Sequence, residues 1–168
     1  QATRIFTGRE VLTNSFVDIE PWRQFSIGEI KITPYFVDHS AIDAYAFLIE
    51  AEGKRIFYSG DFRAHGRKGK LFEKMIANPP ENIDLLFMEG TMLARENSKF
   101  PDEKAVEEKI LTVLKGEQGP CFLLASSQNI DTIVSAYRAS KRAGRIFVVD
   151  IYTAWILNEI SQYSKHTP

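Results

Sequence analysis

Two side chains in this sequence have the types and placement for metal chemistry: His39 in Val-Asp-His-Ser and Asp61 in Tyr-Ser-Gly-Asp-Phe. Each closes a run of β-forming residues, EIKITPYFVD before the histidine and KRIFYSG before the aspartate. Both side chains are therefore expected at the C-terminal ends of strands, where an α/β layered fold places its chemistry. An imidazole and a carboxylate brought together there form a mixed nitrogen and oxygen donor set that suits zinc or manganese. Gly60 lets the backbone approach closely while the neighbouring carboxylate points outward. A lone histidine after a strand is more often structural, and a Gly-Asp pair is more often a plain turn. Their joint occurrence, 22 residues apart across one hairpin, is what points to a site. Two ligands do not hold a catalytic metal, and the chain supplies no obvious third.

Three further groups stand near these motifs. Glu89 ends the strand candidate NIDLLFMEGT. Arg63, His65, Arg67, Lys68 and Lys70 form a basic loop after Asp61 that could touch a phosphate backbone. A solvated basic loop explains the same charges equally well. Ser126 and Ser127 lie between a strand candidate and a helix candidate, where free N–H groups and a positive dipole end can receive an anion. Plain helix capping by a serine or by Asn129 is the slightly favoured alternative.

The elements that must position these residues follow from pattern. EIKITPYFV alternates as a strand, with Pro34 arguing for an edge or a bulge. AYAFLIEAE, a tight turn at Gly53 and RIFYSGD read as an antiparallel hairpin. LFEKMIAN reads as a short helix stopped by Pro79 and Pro80. EKAVEEKILTVLKG has Ala105, Val106, Ile110, Val113 and Leu114 at helical spacing and ends in Gly116. PCFLLAS and RIFVVD read as buried parallel strands, separated by the amphipathic helix NIDTIVSAYRASKRAG, and TAWILNEISQY closes as a helix. The second half is thus a helix–strand–helix–strand–helix run, which predicts a parallel α/β layer. A module boundary is expected near residues 92–101. Tyr35, Phe36, Tyr45, Phe47, Phe57 and Trp155 are read as core rather than as a base-stacking platform.

Composition narrows the class. At 168 residues the chain can form one good core or two small ones. Net charge is −1, so no global basic field advertises nucleic-acid binding, although metal ions can supply local positive charge. The single cysteine, Cys121, sits in the apolar run PCFLLA and is expected to be a small buried hydrophobe. One cysteine permits no disulfide within the chain, which fits a reducing cytoplasm. No apolar stretch approaches the ~20 residues of a membrane span, and no signal peptide opens the sequence. The chain opens on Gln1, and TRIFTG reads like the interior of a domain, so an internal piece of a longer protein is expected.

VDHSAIDAYAFLIEAEGKRIFYSGDF resembles part of the metallo-β-lactamase superfamily, and within it the β-CASP branch of nucleic-acid hydrolases. That family carries a His-x-His-x-Asp-His motif, then a single histidine after a strand, then an aspartate in a Gly-Asp context. The resemblance implies that His39 ligates one metal and that Asp61 bridges two. It further implies that Glu89 of MEGT is the branch's next acidic residue, catalytic alongside Asp61 by orienting ligands or passing a proton. LLASSQNIDTIVSAYRAS with GRIFVVD is similar to the start of the branch's inserted α/β domain, as in ribonuclease J-like proteins. The likeness covers roughly residues 27–150. The His-x-His-x-Asp-His motif is absent: the histidines are His39, His65 and His166, and the motif is expected upstream of Gln1. His166 is read as solvent-exposed. SGDFRAHG departs from the Gly-Asp-x-His-Gly of calcineurin-like phosphoesterases, because its histidine follows the aspartate by four positions and not two.

The expected fold is α/β in an α+β layered arrangement. Residues 1–95 would be half of a metallo-β-lactamase αββα sandwich, and residues 96–168 the start of a parallel β-CASP insert. The function implied is that of a two-metal phosphodiesterase, with Zn2+ or else Mn2+, acting on RNA or DNA. A non-catalytic scaffold on the same fold, or a small-molecule ester or thioester hydrolase, are the alternatives. The chain by itself is expected to be inactive, and its open half-domain face is expected to favour self-association.

Overall fold

A computed structural model describes residues 17–93 and 100–163. The boundary expected at residues 95 and 96, TRIFTG and His166 lie outside the described residues.

A five-stranded mixed sheet forms the first half. Its strands β1 (Phe25–Ile27), β2 (Ile30–Phe36), β3 (Tyr45–Ala51), β4 (Lys54–Tyr58) and β5 (Leu85–Phe87) are hydrogen-bonded in that order. The first three junctions are antiparallel, and β5 joins β4 in parallel. Helix α1 (Gly69–Ala77) supplies the crossover that a parallel pair requires. It stops at Asn78, ahead of Pro79 and Pro80, because a residue before proline is driven out of helical geometry. The hairpin expected around Gly53 is present, with Leu48 opposite Phe57.

Pro34 lies on the second strand, yet the last β1 pairing is Phe25 with Ile32. The sheet edge is therefore locally free at Pro34, whose carbonyl accepts a bond from the Trp22 N–H at 2.7 Å. A proline is tolerated there because its missing N–H takes no ladder partner away.

Pleating sends alternate residues to opposite faces. One face carries Val37, Ala46, Leu48 and Phe57, which are buried together with Tyr35, Ala44, Phe62, Met75 and Ile83 packed against them. Tyr35 meets Phe57 edge to face, with ring centroids 5.5 Å apart. The opposite face carries Phe36, Tyr45 and Phe47 half-buried, and Ile27, Tyr58, Leu85 and Phe87 exposed.

The second half consists of α2 (Glu103–Gly116), α3 (Ile130–Arg142) and α4 (Ile151–Tyr163), with α2 packed on α3. Asp102 caps α2 by accepting from the Ala105 N–H at 2.7 Å, and Asn129 caps α3 by accepting from Thr132. The two expected parallel strands do not form. Residues 120–125 and 145–150 carry no ladder hydrogen bonds, and Phe122 and Ile146 are 95 % and 91 % exposed. Apolar composition gave these segments strand propensity, but a strand also needs a neighbour to take its N–H and C=O groups. Cys121 is correspondingly exposed and free rather than buried. Its thiol lies 3.5 Å from the Arg145 guanidinium.

Candidate functional site

The loops that follow β2, β4 and β5 meet at one end of the sheet. After β2, Val37 and Asp38 turn inward, and His39 and Ser40 follow half-buried. After β4 comes the Ser59-Gly60-Asp61 loop, with Asp61 exposed. Gly60 has φ +56°, and a Cβ there would stand 2.6 Å from the Tyr45 carbonyl oxygen, so only glycine fits. The two loops are stitched together by the Arg63 N–H, which donates to the Asp38 carbonyl at 2.8 Å. His39 and Asp61 therefore sit on neighbouring loops at the same sheet edge.

Glu89 joins them from β5. Its carboxylate accepts from the Phe62 N–H at 2.8 Å, one residue beyond Asp61, and its own N–H donates to the Ser59 hydroxyl at 3.1 Å. The Ser59 N–H in turn donates to the Phe87 carbonyl, which fixes the β4 and β5 ends side by side. On the His39 ring, Nδ1 lies 3.4 Å from both the Ser40 hydroxyl and the Ala41 N–H.

Within the basic loop after Asp61, the Arg63, Arg67 and Lys68 side chains bond back to the chain, while Lys70 is exposed. Arg63 is 17 % exposed, and its guanidinium pairs with Glu103 at 3.3 Å and with Asp131. Arg67 reaches Glu107 at 3.0 Å and the Ser135 hydroxyl at 2.8 Å, and its backbone N–H donates to Asp131 at 3.1 Å. Lys68 donates to the carbonyls of Ala41 and Ile42, the latter at 3.0 Å, and burial pulls its pKa down. His65 stacks on Phe100, with ring centroids 6.0 Å apart. Of the two residues of this loop expected near a phosphate backbone, the Arg63 guanidinium is paired with carboxylates of the same chain and the His65 ring lies against Phe100.

Ser126 and Ser127 are also engaged within the chain. The Ser126 hydroxyl accepts from the Gln128 N–H at 3.3 Å, and the Ser127 hydroxyl is 2.8 Å from that of Thr153. Asp150 receives the Thr153 N–H at 2.8 Å, and this bond holds its carboxyl below the usual range. Capping of α3 falls to Asn129, and the Ile130 N–H donates to the Ser40 carbonyl at 3.0 Å. The start of α3 thereby touches the His39 loop.

What pattern reading missed is the acidic side of this junction. Glu103 and Glu107 are buried on α2, and Asp131 and Ser135 on α3. A signal was available on α2: Glu103 and Glu107 are one helical turn apart, and like charges so placed repel unless cations lie between them.

His39 and Asp61 supply an imidazole nitrogen and carboxylate oxygens, the donor chemistry of a zinc or manganese centre. Among the described residues no group of three or more His, Cys, Asp or Glu side chains lies where it could hold a metal ion. These residues fit part of such a centre and do not complete one.

A mixed sheet with a helix on one face, and a histidine loop and an aspartate loop at the C-terminal ends of its strands, define a layered α+β fold. The chain belongs to the metallo-β-lactamase superfamily: residues 2–115 match the family described as the beta-lactamase superfamily domain. It is 26 % identical over 132 residues to Ribonuclease J of Mycoplasma genitalium, covering 74 % of this chain and 22 % of that protein. It is 28 % identical over 116 residues to Endoribonuclease ysh-1 of Neurospora crassa, covering 67 % of this chain and 13 % of that one. The chain therefore spans less than a quarter of the length of either relative. A crystal structure of a protein of unknown function from Enterococcus faecalis V583 superposes with a TM-score of 0.71 at 20 % identity, over 89 % of this chain and 36 % of that one. That likeness speaks for the fold alone. The family expected from the His39, Asp61 and Glu89 motifs is borne out, as is the α+β layered fold.

Proposed function

We propose that this chain forms part of a metal-dependent phosphodiesterase acting on RNA, with His39 and Asp61 as two of the metal ligands. The observation that carries the reading is the junction of the two loops through Arg63 N–H and the Asp38 carbonyl at 2.8 Å, in a chain of this superfamily whose relatives include named ribonucleases. Zinc is the expected metal, with manganese next. A bound metal of this kind lowers the pKa of water and stabilises charge developing on phosphoryl oxygens. The chain's own residues orient that site. Glu89 fixes the backbone one residue beyond Asp61, a position from which it would hold a proton or steer a ligand. Residues 1–95 would belong to the hydrolase domain and 96–168 to the start of an inserted one, in a cytoplasmic protein. No helix among the described residues is long and apolar enough to cross a membrane.

The test is cleavage of a labelled RNA oligonucleotide, with a DNA counterpart, by the full-length protein loaded with Zn2+ or Mn2+. His39→Ala and Asp61→Asn are each expected to lower kcat/KM at least 100-fold, about 2.7 kcal/mol at the transition state. Cleavage that survives both substitutions would remove the reading. The chain by itself is expected to bind zinc weakly, since affinity depends on a completed, oriented ligand set. A second reading, a non-catalytic module on the same fold, is favoured by the lack of three grouped donors among the described residues. It predicts no metal-dependent cleavage by the full-length protein. Self-association through the open sheet face, which sedimentation reads, fits either reading.

A further inference from the structure

Both residues that flank His39 are held by groups from outside the sheet. On its N-terminal side Asp38 is fully buried, at 0 % exposure, and its carboxylate accepts from the Gly66 N–H at 2.7 Å. A Cβ on Gly66 would collide with both the Asp38 carboxylate and the Arg63 side chain, so the chain must approach as bare backbone here. On its C-terminal side Ser40 accepts from the first N–H of α3. Asp61 is two residues from Arg63, whose backbone N–H closes the two loops together.

The Arg63 side chain repeats this closure at a second level. Its guanidinium sits among three carboxylates, each from a different element: Asp38 on the His39 loop at 3.9 Å, Glu103 at the start of α2 at 3.3 Å, and Asp131 in the first turn of α3. The Asp38 Oδ1 and the Arg63 Nε are both buried without a hydrogen-bond partner and face each other across that 3.9 Å. The guanidinium thus gives its shorter contacts to the helices and its longest to the loop. Asp131 also accepts from the Arg67 N–H at 3.1 Å, so α3 holds the Asp61 loop through Arg63 and Arg67 and the His39 loop through the Ser40 carbonyl. Only an arginine offers a planar fork of five N–H donors, permanently charged, that can serve three carboxylates together.

We propose that Arg63 is the positioning residue of this centre: it sets the separation of His39 and Asp61 and makes that separation depend on the first turn of α3 through Asp131. The proposal rests on the metal-ligand reading of His39 and Asp61. Replacing the guanidinium by an ammonium keeps the charge and loses the fork, and replacing Asp131 by asparagine removes the pull of α3 without touching either ligand.

The experiment uses the full-length protein and three variants, Arg63→Lys, Asp131→Asn and His39→Ala. Amide exchange is measured without metal, and zinc affinity by calorimetry. In Arg63→Lys and Asp131→Asn, exchange is expected to rise in residues 37–42 and 59–63 and to stay unchanged in β3 and α1. Zinc affinity is expected to fall about 10- to 100-fold, as for other groups that orient metal ligands. Unchanged exchange in the two loops overturns the proposal, and so does unchanged zinc affinity in both variants when His39→Ala abolishes binding. Zinc binding unaffected by His39→Ala removes the ligand reading itself, and with it the positioning role, even where exchange has risen. Global unfolding of Arg63→Lys leaves Asp131→Asn to decide, since it retains every buried cation.

Discussion

The sheet and the α2–α3 seam are both buried, and they are held by opposite kinds of chemistry. Under α1 the sheet joins Val37, Ala46, Leu48 and Phe57, all apolar. The face that α2 turns inward carries Glu103 and Glu107 beside Leu111, and α3 answers with Asp131, Ser135 and Ser140 among its small and apolar residues. Arginines complete the seam: Arg63 and Arg67 from the loop after β4, and Arg142 from α3 to Glu107 at 3.0 Å. An apolar core is non-directional and tolerates rearrangement that keeps its volume. A buried ion network adds little net stability against an apolar equivalent, but it punishes the loss of one partner. The sheet therefore supplies the scaffold, and the seam supplies a fixed relation between the site loops and the helices.

The largest expected effect lies in the sheet. Phe57→Ala removes a buried ring and its contact with Tyr35, and is expected to cost about 3–5 kcal/mol in denaturant unfolding. Because apolar burial involves no titrating group, that cost should be the same at neutral and mildly acid pH. A cost below ~1 kcal/mol would mean that the face under α1 is not the core.

A smaller effect, and one confined to the seam, comes from acid. Burial pushes the Glu107 carboxyl up, but hydrogen bonds from Arg67 and Arg142 and the nearby charges of Arg138 and Arg67 outweigh it and hold the pKa below the ordinary 4.5. A carboxyl with a depressed folded-state pKa contributes stability that is complete above its unfolded value and lost as pH falls through the folded one. Wild-type protein should therefore lose more stability than Glu107→Gln as pH is lowered from neutrality past 4.5. Parallel losses in the two proteins would show that Glu107 gives the seam no pH dependence.

The same contrast explains what was legible in the sequence. Strands β2, β3 and β4 and the hairpin followed from alternation, and α2 from its spacing, because those patterns are local. His39 and Asp61 were legible as a pair because each follows its own strand. The inward turn of Arg63 and Arg67 was not, since their partners Glu103, Glu107 and Asp131 lie 40, 40 and 68 residues away in sequence. The two apolar segments at 120–125 and 145–150 mark the opposite failure. Their composition is that of interior strands, yet Phe122, Ile146 and Val148 stand exposed and unpaired. Propensity states what a segment can become, and the ladder partner decides whether it does.

The smallest effect sits at the rim of the seam and separates a carboxylate's burial from the worth of each of its partners. Arg138 Nε lies 3.0 Å from the same Glu107 oxygen that Arg67 holds, but its side chain is 58 % exposed. An exposed guanidinium gains little from such a contact, because water screens the charge and the side chain loses rotamer freedom in making it. Arg138→Ala also leaves Glu107 paired with Arg67 and Arg142, so no buried charge is stranded. The expected cost is under about 1 kcal/mol and should shrink as salt is raised. A salt-independent cost as large as that of Phe57→Ala would show that Arg138 acts through packing of its stem, and the apolar scaffold would then extend to α3's outer face.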